Sequence, residues 1–274
     1  MMQGASRWET RLHEHGFVAL VDAMPRLVPE GKTADFAIVQ AARVSYGQGT
    51  KQVNEDRGLV RYLLRHRHTT PFEMVEFKFH IAMPVFIARQ WIRHRTANVN
   101  EYSARYSILP DRFYRPPMEH IRKQSKSNRQ GGDGAVDVGT AEDFLKLLDR
   151  AEELYKDYTD LSERGVAREL ARSVLPVSVY TEWYWKCDLH NIFHFLSLRM
   201  DEHAQLEIQE YARAMYDMIK SIVPISCEAF EDYRLNAMHL TALEIESIKS
   251  GKPLATENKR EQSEWAEKRA RLGL

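Results

Sequence analysis

The chain has 274 residues, 43% of them hydrophobic, and its 39 lysines and arginines are balanced by 39 aspartates and glutamates. This apolar content is ample for a folded core, and the zero net charge excludes a global basic field of the kind that attracts long polyanions such as DNA. Two cysteines are too few for a disulfide framework, and the longest nearly apolar run, residues 81–88, is too short to cross a bilayer. We therefore expect a cytoplasmic protein with no membrane or nucleic-acid partner.

The N-terminal part is predicted to contain one strand and two helices. Residues 16–21 form an apolar run typical of a strand, and residues 34–44 place their apolar side chains on one helical face. A polar loop over residues 45–53 follows, and Asn54 supplies a cap for a second helix. That helix ends in a basic segment that carries His68 into a turn.

The next segment is predicted to pass from a strand to a helix and back to a strand. Polar and apolar side chains alternate along residues 72–81, which indicates a strand with one apolar face. Pro84 can open a helix on which Arg89 and Arg93 are four residues apart and share a face. Beyond it, a period of two predicts an extended stretch with three polar side chains on one side: Glu101, Ser103 and Arg105. We expect the helix end and the strand to converge on one polar pocket.

The second half of the chain is predicted to be mostly helical. Residues 124–139 are rich in small polar residues and indicate a loop or insertion, and Thr140 with Asp143 forms an approximate capping box for a long helix. The remaining predicted elements are a short helix with Arg168 and Arg172, a strand over residues 177–186, a helix over residues 189–199 capped by Asp188, a helix over residues 202–222 and a charged tail over residues 252–274. We assign residues 1–235 to one α+β domain and residues 236–274 to a charged C-terminal extension.

Residues 93–105, RHRTANVNEYSAR, hold three arginines, a histidine, a glutamate and a serine in one short stretch. A buried guanidinium without a partner is destabilising, so packed arginines need water or an anion, and phosphate matches the planar fork of arginine. The alternative is a solvated basic face, against which the interleaved Trp91, Ile92 and Tyr102 argue. The cluster therefore predicts a local anion site, which suits a nucleotide better than a polymer.

Other candidate sites in the sequence have weaker patterns. His190 and His194 are four residues apart on a predicted helix and His203 lies nearby, but the glutamate of a His-Glu-x-x-His zinc helix is missing, so we expect no metal. Ser103 lacks the Gly-x-Ser-x-Gly elbow of a nucleophilic serine, and neither cysteine lies beside the arginines in sequence. A nucleic-acid-binding module and a metal-dependent hydrolase remain the alternative hypotheses.

Arg93, His94 and Arg95, followed after seven residues by Ser103, resemble the signature of flavin-dependent thymidylate synthases. Further blocks resemble that family in the same order along the chain: Thr70-Pro71-Phe72-Glu73 after His68, Ala88-Arg89-Gln90-Trp91, Leu175-Pro176 after Arg172, and Leu198-Arg199 before His203-Ala204-Gln205. The resemblance covers about residues 41–230, most of the chain.

The resemblance implies the fold and the reaction of that family. The fold would be α+β, a mixed sheet with long helices, assembled as a homotetramer whose active sites are shared between subunits. The reaction would be the reductive methylation of dUMP to dTMP, with the folate 5,10-methylenetetrahydrofolate as carbon donor and NADPH-reduced FAD as hydride source. This family does not use a cysteine nucleophile.

The resemblance also implies which residues bind each ligand. The residues that match the family's dUMP contacts are Gln90, Arg93, Glu101, Tyr102, Ser103, Ala104, Arg105, Arg172 and Arg199. Those that match its FAD contacts are His68, Thr70, Arg93, His94, Arg95, Glu101, Asp188, Leu189, His190 and His194. Arg199 is the candidate catalytic residue, because the family arginine at this position is thought to stabilise negative charge on the uracil ring.

Overall fold

The structure is a computed structural model that describes residues 8–44, 56–125 and 131–274. Its strands are β1 (Trp8–Leu12), β2 (Gly16–Met24), β3 (Glu76–Pro84), β4 (Asn98–Glu101), β5 (Arg122–Gln124), β6 (Gly132–Ala135) and β7 (Tyr180–Asp188). Its α-helices are α1 (Asp35–Arg43), α2 (Asp56–Arg65), α3 (Thr70–Glu73), α4 (Val85–Trp91), α5 (Val138–Glu163), α6 (Arg168–Ala171), α7 (Leu189–Arg199), α8 (Leu206–Lys220), α9 (Pro224–Phe230), α10 (Ala242–Ser250) and α11 (Lys259–Leu272).

Five of these strands form one sheet in the order β1-β2-β3-β7-β4, and each neighbouring pair in it is antiparallel. The α+β class is therefore confirmed, whereas the expectation of a mixed sheet is wrong. β4 lies at the edge, with Asn98 opposite Lys186 and Glu101 opposite Trp183. Local alternation can identify a strand, but it does not specify the direction of a neighbour that is distant in sequence.

One face of the sheet is packed with large aromatic side chains. Trp183 and Trp185 of β7 are both buried, and each ring centroid lies 5.8 Å from that of Trp91 at the end of α4. Trp91 in turn stacks on Phe195 of α7 with a centroid separation of 4.5 Å. Burial of each such ring contributes on the order of 3 kcal/mol to stability. The cluster fixes the end of α4 and therefore the start of the arginine-rich segment.

β3 begins at Glu76, later than the alternation from Phe72 predicted. Phe72 belongs instead to the helical turn α3, which has Pro71 near its start and in which Phe72 N donates to the Thr69 carbonyl at 2.9 Å. Proline is favoured in the first turn of a helix, where its missing N–H has no partner to lose. Phe72 and Val75 are both buried, and a spacing of three places two side chains on one face of a helical turn but on opposite faces of a strand.

The stretch from Glu101 to Arg105 is extended only at its start. β4 ends at Glu101, and Ser103 then begins a turn in which its carbonyl accepts from Tyr106 N at 3.1 Å. Tyr102 N still donates to the Glu182 carbonyl of β7 at 2.8 Å, so the predicted period of two is wrong from the turn at Ser103 onward. α4 likewise ends at Trp91, so Arg93 lies past the helix rather than on one of its faces.

Residues 124–139, predicted as a loop, contain strand pairing and a helix start. β5 and β6 pair antiparallel, while residues 126–130 lie outside the described part of the chain. α5 begins at Val138, where the Asp137 carboxylate accepts from Thr140 N at 3.0 Å and from its hydroxyl at 2.7 Å. Thr140 is therefore a donor to the cap rather than the cap, and the predicted capping box is wrong.

Most other predicted elements are confirmed with shifted ends. They are the strand over residues 16–21 as β2, the helix over residues 34–44 as α1, the strand over residues 177–186 as β7, the helix over residues 189–199 as α7 with Asp188 as its cap, and the helix over residues 202–222 as α8. The predicted loop over residues 45–53 and the Asn54 cap lie outside the described residues. None of the helices that the structure describes is long and apolar enough to span a bilayer.

The contact pattern divides the chain into two compact units, Met1–Cys227 and Glu228–Leu274. In the second unit Lys268 of α11 donates to the buried carboxylate of Glu244 in α10 at 2.8 Å. Trp265 of α11 is also buried. The predicted charged tail therefore contains a helix that buries one large aromatic side chain.

Candidate active site

Residues 93–105 line two clefts rather than one. The first, which we call the Ser103 cleft, follows the C-terminal end of β4 and has a volume of about 470 Å³. The second, the Arg199 cleft, precedes the N-terminal end of β4 and has a volume of about 610 Å³. The expectation of a single polar pocket is therefore wrong within one chain. The four extended residues of β4 span roughly 13 Å and separate the residues that line the two clefts.

The Ser103 cleft combines charged side chains with an apolar floor. Its lining residues are Val85, Glu101, Tyr102, Ser103, Ala104, Arg105, Leu109, Arg172, Leu175, Pro176, Val177, Val179 and Thr181. The floor includes Ala104, Leu109 and Val179, which pack in one buried cluster with Phe113. Six residues predicted to bind dUMP meet here: Glu101, Tyr102, Ser103, Ala104, Arg105 and Arg172.

Hydrogen bonds fix the turn that carries Ser103. The Ser103 hydroxyl accepts from Arg105 N and from Arg105 Nε, both at 3.4 Å. Arg168 of α6 donates to the Tyr106 carbonyl at 2.9 Å and so ties the same turn to the helix that precedes Arg172. Arg105 and Arg172 both line this cleft, although they are distant in sequence.

Glu101 is oriented by a neighbour that the sequence did not single out. The hydroxyl of buried Thr181, on β7, donates to a carboxylate oxygen of Glu101 at 2.7 Å. A carboxylate in the same cleft as two arginines can accept from an N–H or O–H of a ligand whose anionic end those arginines bind. Glu101 was predicted to contact both ligands, and it lines only the Ser103 cleft of the two.

The Arg199 cleft is strongly cationic. It is lined by Arg93, His94, Arg95, Thr96, Asn191, His194, Leu198 and Arg199. No carboxylate is found among these lining residues, so three guanidinium groups face the same space without a built-in counter-charge there. The arrangement suits an anionic ligand that carries more than one negative charge.

His94 and Arg199 form the central hydrogen bond of this cleft. Arg199 Nε donates to His94 Nε2 at 3.2 Å, which requires a neutral imidazole with its lone pair on Nε2. Burial, together with the charges of Arg199 and His194, lowers the pKa of His94 to about 4. Burial also lowers the pKa of Arg199 from its ordinary value. A neutral His94 can therefore orient Arg199 while the terminal nitrogens of the guanidinium remain as donors for a ligand.

The remaining predicted residues line neither cleft. Gln90 donates through its side chain to Gln205, the residue before α8. The FAD candidates outside both clefts are His68, which lies beside Tyr62, Thr70 in α3, Asp188 at the cap of α7, Leu189, which is fully buried, and His190. Sequence reasoning also missed Thr181 and two lining residues of the Arg199 cleft, Thr96 and Asn191. The only sequence signal for Thr96 is that it follows Arg95, and the only one for Asn191 is that it lies three residues after Asp188.

The histidines considered as metal ligands do not assemble into a metal site. His203 Nδ1 lies 2.8 Å from Asp201 Oδ1 in an exposed turn. Within the described ranges, no group of three or more histidine, cysteine, aspartate or glutamate side chains is placed to hold a metal ion.

An α+β fold with two clefts of this size, both lined by arginines, suits a protein that binds anionic ligands the size of nucleotides. A family model described as thymidylate synthase complementing protein matches residues 26–225. The flavin-dependent thymidylate synthase of Dictyostelium discoideum is 65% identical over 272 residues, which are 99% of this chain and 90% of that protein. That of Gluconobacter oxydans is 53% identical over 264 residues, covering 92% and 84% respectively. The chain belongs to the flavin-dependent thymidylate synthase family.

Solved structures of a nucleotide methylase are also similar to this chain, at lower identity. A UMP/dUMP methylase PolB from Streptomyces cacaoi, bound with 5-Br UMP, superposes with a TM-score of 0.70 at 34% identity, over 80% of this chain and 95% of that one. The same methylase bound with 5-Br dUMP gives a TM-score of 0.70 at 33% identity, over 82% and 99%.

Proposed function

We propose that this chain is a flavin-dependent thymidylate synthase that converts dUMP to dTMP, with 5,10-methylenetetrahydrofolate as carbon donor and NADPH as the source of reducing equivalents. The observation that carries the proposal is the hydrogen bond between Arg199 and a neutral His94 in a cleft that presents two further arginines. Membership of the family supports it, since relatives that match most of the chain are named for this activity.

Arg199 is the proposed catalytic residue. Methylation of a uracil carbon requires negative charge to develop on the ring, and a fixed guanidinium beside a ring oxygen stabilises that charge. The alternative activation by a thiolate has little support, because Cys187 and Cys227 are buried and line neither cleft. Burial raises the pKa of the Cys187 thiol well above its ordinary value. His94 would act by holding Arg199 in place.

The Ser103 cleft is the proposed site for part of dUMP. Arg105 and Arg172 can bind the phosphate through charge-assisted hydrogen bonds, and the Ser103 hydroxyl can donate to the same group or to the sugar. Glu101, held by Thr181, can accept from a donor of the nucleotide. The apolar floor around Leu109 can pack against a flat ring.

The Arg199 cleft fits part of FAD. Its arginines and its lack of a carboxylate among the lining residues match a pyrophosphate, and the His94 ring, edge-on to Phe195 at 4.9 Å, offers a flat surface. When bound, the flavin supplies the hydride that turns the transferred one-carbon unit into a methyl group. Arg93 and Arg95 would hold the anionic part of the cofactor.

We further propose that active sites are completed by a second copy of the chain in a homotetramer. Residues matched to dUMP are divided between the clefts, with Arg93 and Arg199 on one side of β4 and Ser103 and Arg172 on the other. A nucleotide held by both sets would therefore need the Arg199 cleft of one subunit to face the Ser103 cleft of another. Helix α5 supports assembly, because it exposes an apolar stripe of Phe144, Leu147 and Leu154.

The direct test is turnover with defined components. Purified protein is loaded with FAD and gel-filtered, and its visible spectrum is recorded before and after dUMP is added. It is then assayed for dTMP with methylenetetrahydrofolate and NADPH, each omitted in turn. We expect retained flavin, bands that shift with dUMP, and dTMP only in the complete mixture. UMP is tested in parallel because the similar methylase structures hold both nucleotide types. Product formed without flavin, or none in the complete mixture, would contradict the proposal.

A further inference from the structure

The segment that carries Arg93 and Arg95 has no regular secondary structure of its own. It runs from the end of α4 at Trp91 to the start of β4 at Asn98, and its first half is held by a backbone hydrogen bond from His94 N to the Trp91 carbonyl at 2.9 Å. An irregular segment holds charged side chains in a fixed position only if other contacts restrain it. The restraint on its second half comes from Thr96.

Thr96 is tied to the rest of the fold at two atoms. Its hydroxyl donates to the side-chain oxygen of Asn191 at 2.8 Å, and its carbonyl accepts from the thiol of Cys187 at 3.3 Å. Cys187 belongs to β7, and Asn191 lies in the first turn of α7. One residue of the segment is therefore connected to both the strand and the helix that flank Asp188.

Asn191 is itself held in one orientation. Asp188 accepts from Asn191 N at 2.9 Å with one carboxylate oxygen and from Asn191 Nδ2 at 2.7 Å with the other. The amide nitrogen is thus committed to Asp188, so the amide oxygen must face Thr96 and the Thr96 hydroxyl must be the donor. Asp188 is matched by resemblance to an FAD contact, but both of its oxygens serve this cap.

These hydrogen bonds connect the segment to α7, the helix that carries the candidate catalytic residue. α7 also presents His194, Leu198 and Arg199 to the Arg199 cleft. A connection from Asp188 through Asn191 to Thr96 therefore fixes the arginines of one segment relative to the arginine of another. Thr96 and Asn191 both line the cleft themselves.

We propose that Thr96 and Asn191 are positioning residues that hold Arg93 and Arg95 against α7, so that these two arginines bind one anionic ligand together beside Arg199. The inference rests on the proposed function only for the identity of the ligand, the FAD pyrophosphate. The geometry of the contacts is independent of that function. Loss of the Thr96 hydroxyl should weaken FAD binding by about three- to tenfold, the range of a single neutral hydrogen bond.

The test compares Thr96→Val with Thr96→Ser and a matched control. Valine has the shape of threonine but cannot donate, whereas serine keeps the hydroxyl. Thr159→Val is the control, since Thr159 donates to the Lys156 carbonyl at 2.8 Å on α5, away from both clefts. FAD dissociation constants are measured by flavin fluorescence, and Tm is measured without FAD. We expect weaker FAD binding only in Thr96→Val, with Thr96→Ser close to wild type.

A double-mutant cycle adds a second criterion. If Thr96 and Asn191 act as one unit, Thr96→Val combined with Asn191→Ala should weaken FAD no more than Asn191→Ala alone. Additive losses, an unchanged affinity in Thr96→Val, or equal losses in Thr96→Val and Thr96→Ser would overturn the inference. If the wild type binds no FAD, the proposed function fails. The same variants are then titrated with inorganic pyrophosphate, where an affinity equal to wild type in Thr96→Val overturns the positioning role.

Discussion

At the scale of single residues, the cleft chemistry depends on which side chains stay neutral. His94 accepts a hydrogen bond from Arg199, so protonation of the imidazole would replace an attraction by a repulsion between two cations. Burial keeps the neutral form by lowering the pKa of His94 to about 4. The charges that face this ring come from Arg199 and His194, both on α7.

The acceptor role of His94 can be separated from its ring. His94→Gln keeps an acceptor that Arg199 can reach, whereas His94→Phe keeps a flat ring and removes the acceptor. We expect turnover of His94→Gln within about tenfold of wild type and a loss of about 100-fold in His94→Phe, approaching Arg199→Ala. The control is Arg89→Ala, which removes an exposed arginine that lines neither cleft. Equal turnover in the glutamine and phenylalanine variants would contradict the acceptor role.

The same residue predicts an acid limb of stability. The folded-state pKa of about 4 lies below the ordinary 6.5, so between these values the unfolded chain binds more protons at His94 than the folded chain. Stability that is complete above pH 6.5 is therefore lost as the pH falls toward 4. We expect Tm to fall less over this window in His94→Gln than in wild type, measured without ligands. An equal fall of Tm in both proteins would show that groups other than His94 cause the loss of stability at acid pH.

At the scale of elements, capping was partly predictable and strand pairing was not: Asp188 caps α7 as predicted, whereas Asp137 rather than Thr140 caps α5. Asp188 as the cap of α7 could be read from the sequence, because an N-cap acts within its own turn. The sequence also singled out the arginines and the serine of the signature as candidate site residues. It did not predict that they would line two separate clefts. That separation depends on β4 pairing with β7, for example Glu101 with Trp183, and no local period in the sequence encodes this pairing.

A buried cap at the start of α9 gives a prediction for this scale. Asp35, which is 2% exposed, accepts from Ser226 N at 2.9 Å, from the Ser226 hydroxyl at 2.5 Å and from Ile225 N at 3.0 Å. Asp35→Ala leaves these donors without their acceptor, and we expect the free energy of unfolding to fall by about 3 kcal/mol. Urea denaturation of the ligand-free protein measures it. Asp143→Ala, which removes only an exposed ion pair with Lys146, should change stability by less than about 0.5 kcal/mol.

At the scale of the whole molecule, the two clefts predict complementation between inactive subunits. Arg199→Ala damages one cleft and Arg172→Ala the other. If each site combines clefts from two subunits, a mixed pair has one site with both defects and one with neither. Random mixing should therefore restore roughly a quarter of wild-type sites, measured as dTMP formation after subunit exchange.

A matched mixture tests the geometry of that sharing. Arg199→Ala mixed with Arg93→Ala places both defects in the same cleft, so every composite site carries one of them and activity should stay at the level of the separate variants. Recovery in this mixture would show that Arg93 and Arg199 of one chain serve different sites, and no recovery in the first mixture despite confirmed exchange would show that one chain supplies a whole site.

The aromatic cluster beneath the Arg199 cleft has a spectroscopic consequence. Trp91, Trp183 and Trp185 are buried together, and Phe195 bridges them to His94 through centroid distances of 4.5 Å to Trp91 and 4.9 Å to His94. A chromophore that occupied the cleft and absorbed in the near ultraviolet or blue would therefore lie close to three indoles shielded from water. Excitation energy would pass from them to it, so the dimming of the protein's own emission would report cofactor loading in unlabelled protein.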